Sequence, residues 1–185
     1  MTFDQVWEYA DKIPGSYTKL NGQKLFKYAS QTEGPIVEIG VDQGRSSSLL
    51  LHISQEHGTD LWLIDSWESC LVDNFHKVIK MIAKDFNHDG WREKRVRKVV
   101  HAKAADMAGK FDDDSIGLLH IDANHYEGGI DVDCKLWLPK LQRRGIVCFH
   151  DYGATFDAVT KAVDHFTKGW GDLGLWDGLA IRKKP

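Results

Sequence analysis

Carboxylates and imidazoles gather where the chain's short apolar runs give out. Asp42 follows the run that starts at Ile36, Asp65 closes Leu61–Asp65, Asp122 closes Ile116–Asp122, and His150-Asp151 follows Ile146–Phe149. Carboxylates placed like this accept hydrogen bonds from hydroxyls or hold a cation, and an imidazole beside them moves protons near neutral pH. In an open α/β sheet, ligands bind outside the carboxyl ends of the strands, so these groups can share one crevice. For any single Asp, a helix cap or turn former is the commoner fate; the recurrence at four strand ends carries the reading. His125 lies three residues after Asp122, on the loop expected over that crevice. It is the candidate base for taking a proton from a hydroxyl. His120 has the parity of Asp122 on a buried strand and reads as a core or supporting histidine.

A second constellation precedes these residues. Glu38-Ile39-Gly40-Val41-Asp42-Gln43-Gly44-Arg45-Ser46 joins a buried strand, 36–41, to a helix, 46–57, through a turn with two glycines. Ser46 to Ser48 can cap that helix. Gly40 lets the backbone leave the strand, Gly44 permits close approach of a ligand, and the helix start favours a negative group. The bland alternative is an ordinary βα turn. Asp65, at the end of the second strand, suits a ribose diol. That spacing serves dinucleotides and adenosyl cofactors alike, but the dinucleotide fingerprint G-x-G-x-x-G is missing. A pyrophosphate would meet the Asp42 side chain. The carboxylate of S-adenosylmethionine at the helix start, with Asp42 or Glu38 toward its cationic end, is electrostatically more sensible.

The elements that must position these groups alternate. Helices are expected at 3–12, behind a cap at Thr2, and at 21–32, before Gly34-Pro35. Then come strand 36–41, helix 46–57, strand 60–65, helix 72–86, strand 95–101, a short helix 103–110 and strand 116–122. A long helix, 127–142, would bury Ile130, Val132, Leu136, Trp137 and Leu141; strand 146–150 and helix 156–168 follow. Residues 170–183 read as a hairpin turning at Asp177-Gly178. Alternation of this kind gives an α/β, Rossmann-like, doubly wound sheet with right-handed crossovers. One domain is expected over 1–185: a helical arm, 1–34, and a core, 35–185.

Composition narrows the partners. Lys and Arg number 24 against 27 Asp and Glu, a net charge of −3, so no basic field recommends nucleic acid or an anionic membrane. The run Arg92–Lys98 reads as a solvated helix end. Three scattered cysteines, Cys70, Cys134 and Cys148, form no C-x-x-C pair; reduced thiols in a cytoplasmic protein are expected. The first residues are acidic and lack a signal-peptide core, and no apolar run approaches the roughly 18 residues that span a membrane.

Glu38–Ser47 resembles the first motif of class I S-adenosylmethionine-dependent methyltransferases, and Leu63-Ile64-Asp65-Ser66-Trp67 resembles their second. His120-Ile121-Asp122-Ala123-Asn124-His125-Tyr126-Glu127-Gly128 is similar to the "IDGDHSYEG" stretch of the small-molecule O-methyltransferase branch, which includes macrolide-sugar and cephalosporin-hydroxylase-like proteins. Leu138 to Tyr152 is similar to its "LPLLKPGGVIVFHDY". The resemblance implies seven strands in the order 3-2-1-4-5-7-6 with strand seven antiparallel. It implies that Gly40 and Gly44 line the cofactor and that Ser46 holds its carboxylate. Asp65 would take the ribose hydroxyls, with Ser66 and Asp122 also on the cofactor side. Asp122, His150 and Asp151 would hold Mg²⁺ or another divalent ion.

Three positions depart from the family pattern. Arg144 replaces a glycine of the "PGG" turn. His150 replaces an oxygen ligand, which tilts a metal site toward Mn²⁺, Fe²⁺ or Zn²⁺, or removes His150 from the ligands. The acid usually found after strand three for the adenine amine is His101-Ala102, the nearest acid being Asp106. The expected activity is O-methylation of a small hydroxylated molecule, a sugar or natural product. The arm and loop 66–74 are left for specificity, and an exposed tryptophan in the arm would allow a homo-oligomer. A non-catalytic cofactor-binding protein of the same fold is the alternative. A nicotinamide oxidoreductase or epimerase is disfavoured by the absent G-x-G-x-x-G and Tyr-x-x-x-Lys. A nucleic-acid amino-methyltransferase is disfavoured by the absent D/N-P-P-Y.

Overall fold

A computed structural model of the chain describes residues 1–68, 80, 97–153 and 156–185. Among them, seven strands form one sheet: β1 (Ile36–Ile39), β2 (Leu61–Asp65), β3 (Arg97–His101), β4 (Ile116–Ile121), β5 (Leu141–Phe149), β6 (Gly171–Trp176) and β7 (Leu179–Lys183). Their order is β3-β2-β1-β4-β5-β7-β6. The first five are parallel, and β7 runs antiparallel to both β5 and β6. This is the expected topology. The β6–β7 turn falls at Asp177-Gly178, both with positive φ (46° and 82°), as a two-residue hairpin loop matching strand twist requires.

Strand parity divides the core. Ile36, Leu61, Leu63, Leu118, Ile146 and Cys148 face α2 (Lys19–Ala29) and α3 (Arg45–His57). Val37, Ile39, Ile64, Leu119, Ile121 and Phe149 face the other side, packed with α5 (Gly129–Trp137) and α6 (Asp157–Phe166). The short α4 (Ala104–Met107) packs against α5. The arm is held onto α3: α1 (Phe3–Ala10) buries Val6, Trp7 and Ala10, with Leu49 of α3 in the same cluster. Trp7 is the arm's tryptophan, and its burial removes the exposed ring expected for self-association. Both arm helices begin with capping boxes, Thr2 with Gln5 and Thr18 with Asn21. The second cap starts α2 two residues before the expected position.

Three local expectations are corrected. First, β1 stops at Ile39, because Gly40 (φ +86°) and Asp42 (φ +48°) turn the chain. A Cβ on Gly40 would lie 2.1 Å from the Asp122 carbonyl oxygen, so this glycine serves the close approach of β1 to the end of β4. Second, the long helix 127–142 is α5 only, followed by one 3₁₀ turn over Leu138–Lys140. Pro139 has no N–H to continue the helical ladder and its ring clashes with the preceding turn. The chain therefore enters β5 at Leu141, paired with Ile116, before Ile146 takes register with Leu118. Third, Val132 and Leu136 are 42% and 37% exposed, and the buried stripe of α5 is Ile130, Asp133, Cys134 and Trp137. Arg144 takes φ +62°, the left-handed conformation a glycine would supply at that turn. Helix 72–86, the first residues of strand 95–101, most of the basic run 92–98, Cys70 and most of loop 66–74 lie outside the described residues.

Candidate active site

A crevice of about 740 Å³ opens at the carboxyl ends of β1, β2 and β4. The glycine turn Gly40–Ser46 forms its floor. Asp65 and Ser66, Lys103–Ala105, Asp122–Tyr126 and the arm residues Pro14–Tyr17 form its walls, with Asp151 at one end. Arg45, the first residue of α3, ties the arm down: its Nε donates to the Ile13 carbonyl (2.6 Å) and a terminal N–H to the Tyr17 carbonyl (2.9 Å).

The N-cap of α3 is Gly44, in the left-handed region (φ +90°), with no side-chain cap. The helix thus presents bare N–H groups of its first turn at the crevice, an anion seat. The serines expected to cap it turn inward. Ser46 Oγ donates to Glu38 Oε1 (2.6 Å) and Ser47 Oγ donates to Glu38 Oε2. Ser46 therefore has only its backbone N–H left for a cofactor carboxylate. Glu38 itself is 0% exposed and does not border the crevice. It shares the parity of Ile36, pointing into the α3 face. His120 Nδ1 lies 2.9 Å from Glu38 Oε1, and the Tyr17 hydroxyl lies 3.3 Å from His120 Nε2. With its proton on Nδ1, His120 donates to Glu38 and accepts from Tyr17. Glu38 is a buried tie between β1, α3, β4 and the arm, which corrects its expected place beside the cofactor's cationic end.

Asp65 shapes the turn it faces. Its Oδ2 accepts the N–H groups of Val41 (2.7 Å) and Asp42 (2.9 Å), and its Oδ1 accepts that of Trp67 (2.6 Å). A carboxylate oxygen has two in-plane lone pairs, so Oδ1 keeps one for a hydroxyl in the crevice. Trp67 Nε1 donates to the Asp42 carbonyl (2.8 Å), and His101 Nε2 lies 2.7 Å from the Ser66 carbonyl. The histidine at the end of β3 thus holds the loop after β2.

At the other end stand the charged groups of β4 and β5. His125 Nε2 lies 3.2 Å from Asp122 Oδ1 and 2.8 Å from Asp151 Oδ2. Asp122, His125 and Asp151 bring one ligand atom each within 4.8 Å of one another. His150 is not the third member. Its ring stacks on Tyr17 at 5.0 Å, and its buried Nδ1 sits 3.4 Å from Asp122 and 3.3 Å from Asp151. Those are ion-pair distances without an aligned hydrogen bond. His125 stacks on Phe156 at 4.8 Å. Hydrogen bonds that His125 donates to Asp122 and Asp151 raise it to about 9 despite burial, and His125 and His150 hold Asp151 well below the usual carboxylate range. Burial pulls Asp122 upward, yet His125 and His150 outweigh it and leave the group lowered. Asp151 carries φ +62°, backbone strain of the kind that collects at functional sites.

Of the residues singled out in the sequence, Gly40, Asp42, Gly44, Ser46, Asp65, Ser66, Asp122, His125 and Asp151 border one crevice; Glu38 and His150 stand behind it. Sequence reasoning missed Tyr17 and Asp133. Tyr17 lies in the arm with no motif around it. Asp133 was legible as an acid on the same helical face as Ile130, Cys134 and Trp137.

A seven-stranded sheet in this order, with β7 reversed and helices on both faces, is the class I methyltransferase architecture. Comparison with other proteins agrees. A family profile described as "Methyltransferase domain" matches residues 37–152. The uncharacterized protein y4gI of Sinorhizobium fredii is 28% identical over 148 residues, which are 78% of this chain and 15% of that protein. The chain thus spans only a small part of the length of this curated relative. Among solved structures, a protein from Corynebacterium glutamicum superposes with TM-score 0.71 at 19% identity, over 98% of this chain and 88% of that one. The SAH-bound Podospora anserina methyltransferase PaMTH1 gives 0.69 at 15% identity, over 99% and 87%. The O-methyltransferase NovP gives 0.66 at 16%, over 92% and 83%. The chain belongs to the methyltransferase-domain family. Among the described residues, no helix is long and apolar enough to cross a membrane.

Proposed function

We propose that the protein methylates a hydroxyl of a small molecule, a sugar or natural product, with S-adenosylmethionine as donor and a divalent ion as aid. The observation that carries this reading is the convergence of Asp122, His125 and Asp151 beside the glycine cradle. Structural neighbours that are O-methyltransferases, NovP and the TDP-rhamnose 3'-O-methyltransferase CalS11, support it.

The chemistry S-adenosylmethionine supplies when bound is an electrophilic methyl group on a sulfonium. The chain's share is to hold, orient and deprotonate. The uncapped start of α3 receives a carboxylate, and Asp65 Oδ1 accepts from a ribose hydroxyl. Asp122, His125 and Asp151 would be the donor set for a divalent ion: two hard carboxylates and one imidazole, a mix that suits Mn²⁺ better than Mg²⁺. Such an ion would lower the pKa of an acceptor hydroxyl. His125 carries a proton on Nε2 at neutral pH in the ion-free site. It becomes a base only when that proton leaves, as a second cation on the same carboxylates would cause. Its Nε2 can then bind the ion or take the proton, one at a time. The thiols at Cys134 and Cys148 are free and buried, which suits a reducing cytoplasm.

The test is thermal denaturation with S-adenosylhomocysteine and with Mg²⁺ or Mn²⁺, singly and together. Stabilisation by the nucleoside and by the ion, the latter lost in Asp151→Asn, is expected. Stabilisation by the nucleoside alone would leave a metal-free methyltransferase.

A further inference from the structure

Asp133 Oδ2 finds no hydrogen-bond donor in the site as described, although the charge of His125 acts on the carboxyl. It occupies the inner face of α5 among Ile130, Cys134 and Trp137, where helical periodicity calls for an apolar residue. It is 5% exposed, and its Oδ2 has no hydrogen-bond partner. A buried carboxylate oxygen without a donor is costly, and burial pushes Asp133 up to about 6 against the lowering pull of the His125 charge. Yet the side chain borders the crevice, together with Val132 of its own helix and with Ala104 and Ala105 of α4, which packs against α5. Small apolar side chains on both helices leave a slot, and the carboxyl is its polar end.

The adenosyl cofactor brings a carboxylate, an ammonium, a ribose diol and a flat ring with one exocyclic amine. The start of α3 suits the first and Asp65 the diol, with the acid Asp42 beside them on the floor. Only the ring is both flat and apolar with a hydrogen-bond donor at its edge. β3 lies beside β2 in the sheet and α4 follows β3, so a base extending from a ribose at Asp65 enters the wall of α4 and α5. At the end of β3, His101 is turned to the Ser66 carbonyl, and the next residue is an alanine. We propose that Asp133 accepts the exocyclic amine of the cofactor's adenine, seated in the slot between Val132 and Ala104-Ala105. This inference rests on the adenosyl-cofactor reading of the crevice.

The test is calorimetric titration with S-adenosylhomocysteine and with its purine-riboside counterpart, which lacks only the amine. Wild type should prefer the adenine compound by about tenfold or more, the range of a hydrogen bond to a charged group. Asp133→Asn, nearly isosteric, should reduce that preference, and Asp133→Leu should erase it. Asp133→Leu should also melt no lower than wild type, because an unpartnered carboxyl leaves an apolar face. A wild type that binds both compounds equally overturns the role of Asp133 and leaves the methyltransferase reading standing. A wild type that binds neither overturns both. Full preference retained in folded Asp133→Asn and Asp133→Leu also overturns the proposal.

Discussion

Nε2 of His125 lies 2.8 Å from Oδ2 of Asp151, and this contact sets a pH window. His125 is raised from 6.5 to about 9. Its contribution to stability is therefore fully present below pH 6.5 and fades as pH rises through about 9. Asp151 is lowered, so its contribution is present above the ordinary carboxylate pKa and fades in acid. Ion-free protein should be most stable between about pH 4 and 6.5. Urea unfolding at pH 6 and pH 9.5 checks this. His125→Asn should flatten the loss on the alkaline side, and an unchanged slope would separate His125 from Asp151.

Ion binding and the His125 proton should compete. At pH 7.5, binding of Mn²⁺ or Mg²⁺ should release about one proton, because metal ligands bind deprotonated. Calorimetry in two buffers of different ionisation enthalpy measures it. Binding without proton release would place the ion away from His125.

Glu38 holds Ser46, Ser47 and His120 from a fully buried position. Glu38→Ala strands two hydroxyls and an imidazole, and should cost about 3 kcal/mol or more, because each buried polar group left unsatisfied costs about 1–3 kcal/mol. Denaturant midpoints report it. A folded variant of unchanged stability with lost cofactor binding would return Glu38 to the cofactor.

Asp65→Ala removes the acceptor of three backbone N–H groups and the candidate ribose contact. Affinity for S-adenosylhomocysteine should fall about 10- to 150-fold, the span of a hydrogen bond to a charged group. Gly40→Ala, whose Cβ would meet the Asp122 carbonyl at 2.1 Å, should lose both fold and binding. Gly153→Ala, with nothing within 4 Å of the added carbon, should retain binding.

The sheet was legible because strand and helix periods alternate cleanly and the apolar runs of β1, β2 and β4 end at an acid or glycine. The direction of side chains was less so. Glu38 has the parity of Ile36 and therefore faces α3, but the motif around it drew attention toward the ligand. His125 was expected on the loop over the crevice and borders it, whereas only the fold shows that His150 stacks on Tyr17. Pro139 announced the end of α5, yet the apolar residues on both sides of it suggested one long helix. Asp133 stood in the buried stripe of α5, but choosing Val132 and Leu136 as the inner face hid it.

The central claim is that the glycine cradle and Asp65 hold an adenosyl cofactor. Native mass spectrometry of protein purified from cells tests it most directly, with Asp65→Ala alongside and S-adenosylhomocysteine added to both. Wild type should carry one nucleoside per chain, retained or added, and Asp65→Ala at the same concentration should carry much less. A folded wild type that takes up no S-adenosylhomocysteine at concentrations far above those that saturate ordinary cofactor sites would contradict it.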